Sequence, residues 1–291
     1  MADAVSRPTG TDPIPRPPGL DDMAALRPEV LFDCSDATAI VVGGGGGVGS
    51  WLAAGLALAG AGVIVADISA ERVEPITRLI EDAGGSAHGF AGDISDHGTV
   101  QHLMEMAYKA SSRPLRVVVN AAAVNRRLPA LDVDPETYDW VMDVDLRMPF
   151  FLSQAAARAM KATGGGSIIH ISSTNARFGL QSTSVYAAAK AGLDQLARTL
   201  AVEWASHGIR VNCIAPGFLM TALSRPLWDQ APKRSWILDR VPLARPGSPV
   251  ELLGACLLLA SAAGSFITGQ TLTVDGGFLA GNDWESTGAT I

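Results

Sequence analysis

Five consecutive glycines constrain the fold of this chain more than any other feature of its sequence. They stand directly after a short apolar and β-branched run, residues 38–42, and directly before a helical pattern at about residues 48–59. Glycine lets the backbone turn tightly between a strand and a helix and approach a ligand closely. The amides and the positive dipole end of such a helix favour a bound anion. The run therefore predicts a strand, a phosphate-binding loop and a helix, with a plain flexible turn as the alternative.

Strand-like and helix-like segments alternate along the rest of the chain. The strand-like segments are apolar along most of their length and cover residues 63–66, 87–90, 115–120, 167–171, 210–214 and 271–274. The helical patterns cover residues 70–83, 99–110, 135–162, 185–205 and 249–260. Strands that are apolar on both faces indicate a parallel sheet with helices on both sides. The sequence therefore predicts an α/β fold with a single Rossmann-type, doubly wound parallel sheet of about seven strands.

The composition limits the number of domains and the classes of partner. No linker interrupts the alternation, so we predict a flexible Pro/Gly-rich arm over residues 1–30 and one domain over residues 31–291. The net charge of −7 offers no basic surface to nucleic acid or to an anionic membrane. Two apolar runs, at 51–66 and 252–267, are broken by glycine and fall short of the ~20 residues that a membrane span needs. We expect a small molecule as the partner.

The cysteines and histidines do not form a site pattern. Cys34, Cys213 and Cys256 lie far apart, without a CxxC pair or metal-ligand spacing. Such a sparse and odd set indicates reduced thiols and a cytoplasmic location. The histidines are scattered, so we expect no metal. We interpret His170 as a packed core residue rather than a catalytic base. It lies three positions before Ser173, so on a strand the two side chains point to opposite faces.

Asp67 stands at the end of the second strand-like run. A carboxylate at that position accepts hydrogen bonds from both hydroxyls of an adenosine ribose and repels a 2′-phosphate. Neither the glycine loop nor the two positions after Asp67 carry a lysine or arginine that would offset this repulsion. These features predict NAD, in preference to NADP, as the cofactor. The alternative is that Asp67 only caps the next helix.

Tyr186 and Lys190 place a phenol and an ammonium on one face of a helix, one turn apart. Oxidation of an alcohol requires a base, but a free phenol ionises only near pH ~10. A nearby ammonium favours the phenolate, which can then accept the proton of the alcohol. Ser173, at the end of an apolar strand, is placed to donate a hydrogen bond to the substrate oxygen. We predict that these three residues are catalytic, with Tyr186 as the general acid/base.

These segments resemble the short-chain dehydrogenase/reductase family over about residues 31–278. The resemblance implies cofactor contacts from Gly43, Gly47, Val48 and Gly49 in the glycine loop, Asp93 and Ile94 at the adenine, Asn120, Ala121 and Ala122 after the fourth strand, and Pro216, Gly217, Leu219 and Thr221 at the nicotinamide. It also implies that Tyr186 and Lys190 contact the cofactor, with Lys190 on its ribose. Val42 stands where the family has Thr. A homotetramer is expected from the resemblance.

Asp145 is a departure from the family pattern, in which an Asn holds a water of a proton relay. An ionised carboxylate accepts hydrogen bonds but does not donate them. Next to Lys190 it would stabilise the ammonium and oppose the phenolate. If the relay uses the backbone carbonyl of this residue, the change is mild. We predict that Asp145 belongs to the catalytic set, and we expect a somewhat raised pH optimum and retained activity.

Substrate recognition is expected from two segments. Arg126 and Arg127 follow the fourth strand, at the sheet edge where ligands bind in α/β folds, and a guanidinium there can clamp a carboxylate. Residues 221–241 mix aromatic and basic side chains, Trp228 among them, and are predicted to form a lid over a polar or anionic small molecule. A surface helix pair with ordinary salt bridges is the alternative for this segment. The stretch 125–129 resembles the sugar-acid branch of the family, the gluconate and deoxygluconate dehydrogenases.

The complete set of residues predicts an NAD-dependent oxidoreductase that interconverts a secondary alcohol and a ketone, on a sugar acid or polyol. A carbonyl or 3-oxoacyl thioester reductase is the first alternative, although Asp67 speaks against the NADPH that such reductases usually draw on. A non-catalytic NAD-binding regulator on the same fold is the second. Such a regulator would be expected to have lost Tyr186 or Lys190, and both are present.

Overall fold

Seven parallel strands form one sheet in the computed structural model, which describes residues 23–222 and 224–281. They are β1 (Thr38–Val42), β2 (Gly62–Asp67), β3 (Ser86–Ala91), β4 (Leu115–Asn120), β5 (Gly166–Ile171), β6 (Ile209–Pro216) and β7 (Thr271–Val274). Across the sheet their order is β3-β2-β1-β4-β5-β6-β7. The chain runs outward from β1 to β3, returns to β4 beside β1, and then runs outward in the other direction. This doubly wound arrangement confirms the predicted fold and leaves a crevice where β1 and β4 end.

Helices cover both faces of the sheet. In chain order they are α1 (Pro28–Leu31), α2 (Gly49–Leu58), α3 (Ala70–Asp82), α4 (His97–Ala110), α5 (Pro135–Met142), α6 (Met148–Thr163), α7 (Ser184–Trp204), α8 (Arg225–Trp228), α9 (Ala231–Leu238) and α10 (Leu253–Ala260). Side chains of α2, α3 and α10 share one apolar cluster, and those of α4, α6 and α7 share another. Alternate residues of β1 enter the two clusters: Ala39 and Val41 the first, Ile40 and Val42 the second. This two-sided burial explains why the strands are apolar throughout.

The single helix expected over residues 135–162 is wrong, because a π-helical turn, Asp143–Arg147, separates α5 from α6. The amide of Met148 donates to the carbonyl of Asp143, five residues earlier. Pro149, in the first turn of α6, has no amide hydrogen to donate to the carbonyl of Asp145, so an unbroken α-helical ladder is impossible here. The wider turn buries Asp145 completely.

The ends of the chain and the predicted lid are described only in part. Most of the predicted arm, residues 1–22, lies outside the described residues, as do Leu223 and residues 282–291. The lid segment contains α8 and α9, whose apolar side chains pack with Phe278 in a small separate cluster. None of the helices in the described ranges has the length and apolar content that a membrane crossing requires.

Candidate active site

The glycine loop brings three segments together at the ends of β1 and β4. Gly43 has a φ of +74°, and a Cβ built on it would lie 2.7 Å from the backbone nitrogen of Ala122. Only glycine therefore fits where the loop meets the chain that follows β4. On its other side, a Cβ on Gly47 would lie 3.4 Å from Cβ of Thr221. The loop and two of the segments that the family resemblance assigned to the cofactor thus line one crevice.

The start of α2 is open to an anion. The helix begins at Gly49, and Val48, the residue before it, gives no side-chain hydrogen bond to the first turn. Uncapped amides and the helix dipole favour a phosphate at this point. Together with the close packing of Gly43, this cradle fits the pyrophosphate of a dinucleotide. Within the described ranges, no group of three or more His, Cys, Asp or Glu side chains is arranged to hold a metal ion.

Asp67 ends β2 with its side chain turned to the glycine loop. One carboxylate oxygen accepts the amide of Gly45 at 3.1 Å, and the other accepts the amide of Ile68 at 2.8 Å. Nη1 of Arg72 lies 3.3 Å from the second oxygen. The residue before α3 is Ser69, so Asp67 is not its cap. Arg72 was not predicted from the sequence, because only the two positions after Asp67 were considered as sources of a compensating charge.

The remaining cofactor candidates lie shortly after β3 and at the end of β4. Asp93 is exposed and accepts the amide and hydroxyl of Ser95 at 2.9 and 2.7 Å, while Ile94 packs against the core. Asn120 is buried at the end of β4, and neither polar atom of its side chain has a hydrogen-bond partner among the described residues. Ala121 donates its amide to the carbonyl of Val42, which continues the pairing of β4 with β1.

Lys190 is the buried charge at the centre of the site. It is 1% exposed, although its stem begins on α7, and its ammonium donates to the carbonyl of Ile171 at 3.1 Å. The ammonium lies 3.6 Å from a carboxylate oxygen of Asp145 and 5.5 Å from the ring centre of Tyr186. The structure therefore brings together the phenol, the ammonium and the carboxylate that the sequence assigned to catalysis. A buried cation of this kind stabilises a nearby phenolate.

Ser173 caps a short 3₁₀ turn after β5, and this contact fixes its orientation. Its hydroxyl oxygen accepts the amide of Asn175 at 3.1 Å, which leaves the hydroxyl proton free to donate. Ser173 and Tyr186 are both half-buried, unlike Lys190. A substrate oxygen between the serine hydroxyl and the phenol would receive one hydrogen bond and exchange one proton.

Asp145 accepts one hydrogen bond and forms one buried ion pair. One oxygen accepts the amide of Val124 at 2.8 Å, and the other faces Lys190. Burial raises the pKa of the Asp145 carboxyl above its ordinary value, and Lys190 and the Val124 amide oppose that shift. His170 is also fully buried, with Nε2 3.2 Å from the hydroxyl oxygen of Ser153. Burial and then Lys190 lower the pKa of His170 to about 3, so the ring is neutral and packs in the core.

The two arginines after β4 diverge. Arg126 donates from Nη1 to the hydroxyl of Thr137 at 3.1 Å, which anchors it to the first turn of α5. The guanidinium of Arg127 instead lies near Tyr186: desolvation lowers the pKa of Arg127, and the charge of Tyr186 opposes that shift. Arg127 is exposed and has no ion pair within the described ranges.

Trp228 does not present its polar edge to the site. The side chain is 4% exposed, and its indole N–H donates to the carbonyl of Leu219 at 3.1 Å. The hydroxyl of Ser224 donates to the same carbonyl at 2.6 Å and accepts the amide of Thr221 at 2.9 Å. The expectation that Trp228 contacts the substrate is therefore corrected: this residue packs the lid onto the segment from Pro216 to Thr221.

Comparison with known proteins places the chain among dehydrogenases and reductases. A family model described as enoyl-(acyl carrier protein) reductase matches residues 43–279. A 2-dehydro-3-deoxy-D-gluconate 5-dehydrogenase of Formosa agariphila is 34% identical over 252 residues, which are 86% of this chain and 95% of the relative. A tropinone reductase homologue of Arabidopsis thaliana is 35% identical over 240 residues, 82% of this chain and 92% of the relative.

A solved structure gives the same result. The crystal structure of a gluconate 5-dehydrogenase from Burkholderia cenocepacia, in complex with NADP and tartrate, matches with a TM-score of 0.83 and 35% identity, over 87% of this chain and 99% of that chain. The predicted resemblance to the sugar-acid branch is confirmed by these relatives. Similarity of sequence and fold over so much of the chain shows that it belongs to the short-chain dehydrogenase/reductase family, oxidoreductases that act on an alcohol or ketone with a nicotinamide cofactor.

Proposed function

We propose that this chain is an NAD-preferring dehydrogenase that interconverts a secondary alcohol and a ketone on a small sugar acid, with Tyr186 as the general acid/base. The observation that carries the proposal is the buried ammonium of Lys190, 5.5 Å from the ring centre of Tyr186. A nicotinamide cofactor, when bound, accepts the hydride in oxidation and supplies it in reduction. The chain's own residues then have to move one proton and hold one oxygen.

The proton and the oxygen are handled by three side chains. In oxidation, the phenolate of Tyr186 accepts the proton of the substrate hydroxyl while Ser173 donates a hydrogen bond to the same oxygen. Lys190 stabilises the phenolate, and the carbonyl of Ile171 and Asp145 hold the ammonium in place. In reduction, the phenol returns the proton to the oxygen.

The proposed substrate class rests on Arg127. It is the arginine whose charge interacts with that of Tyr186, whereas Arg126 donates to the hydroxyl of Thr137. A guanidinium binds a carboxylate with two parallel hydrogen bonds, so a sugar acid with its hydroxyl at Tyr186 would place its carboxylate there. The Burkholderia relative binds tartrate, a hydroxy acid, which is chemistry of the same kind.

The proposed preference for NAD rests on Asp67, whose carboxylate at the end of β2 repels a 2′-phosphate. The NADP in the Burkholderia structure favours the alternative, a reductase that draws on NADPH, and one of the relatives is named as a tropinone reductase homologue. A cytoplasmic homotetramer is proposed from the family resemblance; light scattering on purified protein would test the assembly.

The experiment is a panel of sugar acids, polyols, aldoses and secondary alcohols, followed at 340 nm with NAD and NADP in parallel. We expect turnover of a sugar acid with NAD. Arg127→Gln should raise KM about 10-fold or more, because a hydrogen-bonded charge contributes about 1.5–3 kcal/mol, and the matched Arg126→Gln should change KM less than about threefold. Equal effects of the two variants, or turnover of neutral alcohols alone, would contradict the proposed substrate class.

A further inference from the structure

The carboxylate of Asp67 is almost fully engaged before any ribose is bound. Each of its oxygens has two lone pairs. The oxygen that accepts the amide of Ile68 also faces Nη1 of Arg72 at 3.3 Å, and the other oxygen accepts the amide of Gly45. The two amides use two of the four lone pairs and the Arg72 guanidinium covers part of the remaining surface, so the two hydroxyls of an adenosine ribose compete with Arg72 for this carboxylate. For Asp67 to accept both hydroxyls, Arg72 has to release it.

Arg72 is placed to move without disturbing the fold. It lies in the first turn of α3, its side chain is 54% exposed, and its only ion pair within the described ranges is with Asp67. Its backbone packs directly on the glycine loop: a Cβ on Gly45 would lie 2.7 Å from the carbonyl carbon of Arg72. No side chain can therefore stand between the loop and Arg72, and the guanidinium lies at the rim of the crevice beside the carboxylate that binds the ribose.

From this geometry we propose that Arg72 determines the cofactor specificity of the site by binding the 2′-phosphate of NADP. The proposal rests on the proposed function, in which Asp67 binds the adenosine ribose. With NAD, the ribose hydroxyls displace Arg72 into solvent. With NADP, the guanidinium leaves Asp67, binds the 2′-phosphate through two hydrogen bonds and offsets the repulsion from the carboxylate. The chain then binds both cofactors, with a modest preference for NAD rather than exclusion of NADP.

The test uses adenosine fragments, so it needs neither turnover nor a known substrate. Binding of 5′-AMP and of 2′,5′-ADP to the full chain is measured by isothermal titration for the wild type, Arg72→Ala and Arg72→Lys. A matched control is Arg78→Ala, also exposed on α3 and paired with Glu74 at 3.2 Å. This variant makes the same change of charge on the same helix.

We expect Arg72→Ala to weaken 2′,5′-ADP at least 10-fold and to leave 5′-AMP within twofold of the wild type or tighter. Arg72→Lys should restore part of the 2′,5′-ADP affinity, because it keeps the charge but not the planar fork. Arg78→Ala should change neither ligand more than about twofold. Equal effects of Arg72→Ala on the two fragments, or a wild type that does not bind 2′,5′-ADP, would overturn the proposal.

The same titrations separate this proposal from the proposed preference for NAD. A wild type that binds 2′,5′-ADP more tightly than 5′-AMP would contradict the NAD preference. Selective loss of 2′,5′-ADP in Arg72→Ala would support the role of Arg72 in either case.

Discussion

We expect Asp145 to place a measurable electrostatic penalty on Tyr186, the proposed general base. Its carboxylate lies 3.6 Å from the ammonium of Lys190, which lies 5.5 Å from the ring centre of Tyr186. The substitution Asp145→Asn removes one negative charge from this buried group. The amide oxygen of asparagine can still accept the amide of Val124, so the turn should keep its shape. The pH profile of the reaction should therefore shift without loss of the fold.

The size of the shift follows from the two distances. At an effective dielectric constant of ~20, the ammonium stabilises a phenolate by about 3 kcal/mol at 5.5 Å. The carboxylate of Asp145 lies at most about 9 Å from the ring centre, the sum of the two distances, so it opposes a phenolate there by about 1.8 kcal/mol. One pH unit corresponds to 1.36 kcal/mol. Asp145→Asn should therefore move the midpoint of the base limb about one unit toward lower pH.

The assay is kcat/KM for oxidation of the sugar acid between pH 5.5 and 10.5. Asp143→Asn is the matched control, because Asp143 lies in the same π turn but is half-exposed and paired with Arg147 at 3.7 Å. The phenolate absorbance at 295 nm gives a second measure that needs no substrate, since the chain has three tyrosines. An unchanged pH profile in Asp145→Asn, or an equal shift in Asp143→Asn, would show that the Asp145 carboxylate does not oppose the phenolate.

Two further predictions concern stability. The pKa of His170 is about 3 in the folded chain and 6.5 for a histidine free in water. The contribution of the neutral ring to folding stability is therefore fully present above pH 6.5 and is lost as the pH falls toward 3. The free energy of unfolding, measured with urea at pH 8 and pH 5, should fall about 2 kcal/mol less on acidification in His170→Asn than in the wild type. The control His102→Asn, at an exposed position, should lose as much as the wild type. Equal losses in all three proteins would contradict this prediction. Gly43→Ala should cost at least ~1 kcal/mol more than Gly84→Ala, because both have positive φ but only Gly43 faces backbone at 2.7 Å. Equal losses of unfolding free energy in the two variants would show that the close packing of Gly43 does not contribute.

The sheet was predictable because its strands carry apolar residues on both faces. Val41 and Val42 point into different clusters, and a run of this kind has few places to go except a covered parallel sheet. The glycine loop was predictable because its backbone makes close approaches that only glycine allows. A Cβ on Gly43 or on Gly49 would collide with backbone atoms. The break after α5 was missed, although Pro149 inside the predicted helix was a signal for it.

Side-chain directions were beyond the sequence. Arg126 and Arg127 are neighbours of the same type, and only the structure shows that Arg126 donates to Thr137 while the charge of Arg127 interacts with that of Tyr186. Arg72 lies five positions after Asp67 and returns to it because the first turn of α3 folds back over the glycine loop. Trp228 matched the composition of a substrate-binding lid, but its indole N–H donates to the carbonyl of Leu219, just before the lid segment, as buried tryptophans usually find a partner.

Tyr186 is proposed to move the substrate proton in an NAD-dependent oxidation. The most direct test is NAD reduction at 340 nm with the preferred sugar acid, comparing the wild type with Tyr186→Phe and with Tyr138→Phe, an exposed tyrosine that controls for loss of a phenol hydroxyl. Binding of NADH, followed by its fluorescence, shows that the site is intact. We predict that Tyr186→Phe loses about 10²–10⁴-fold in kcat while NADH binding and the control remain unchanged. Turnover of Tyr186→Phe within tenfold of the wild type would contradict the role of Tyr186 as the general acid/base.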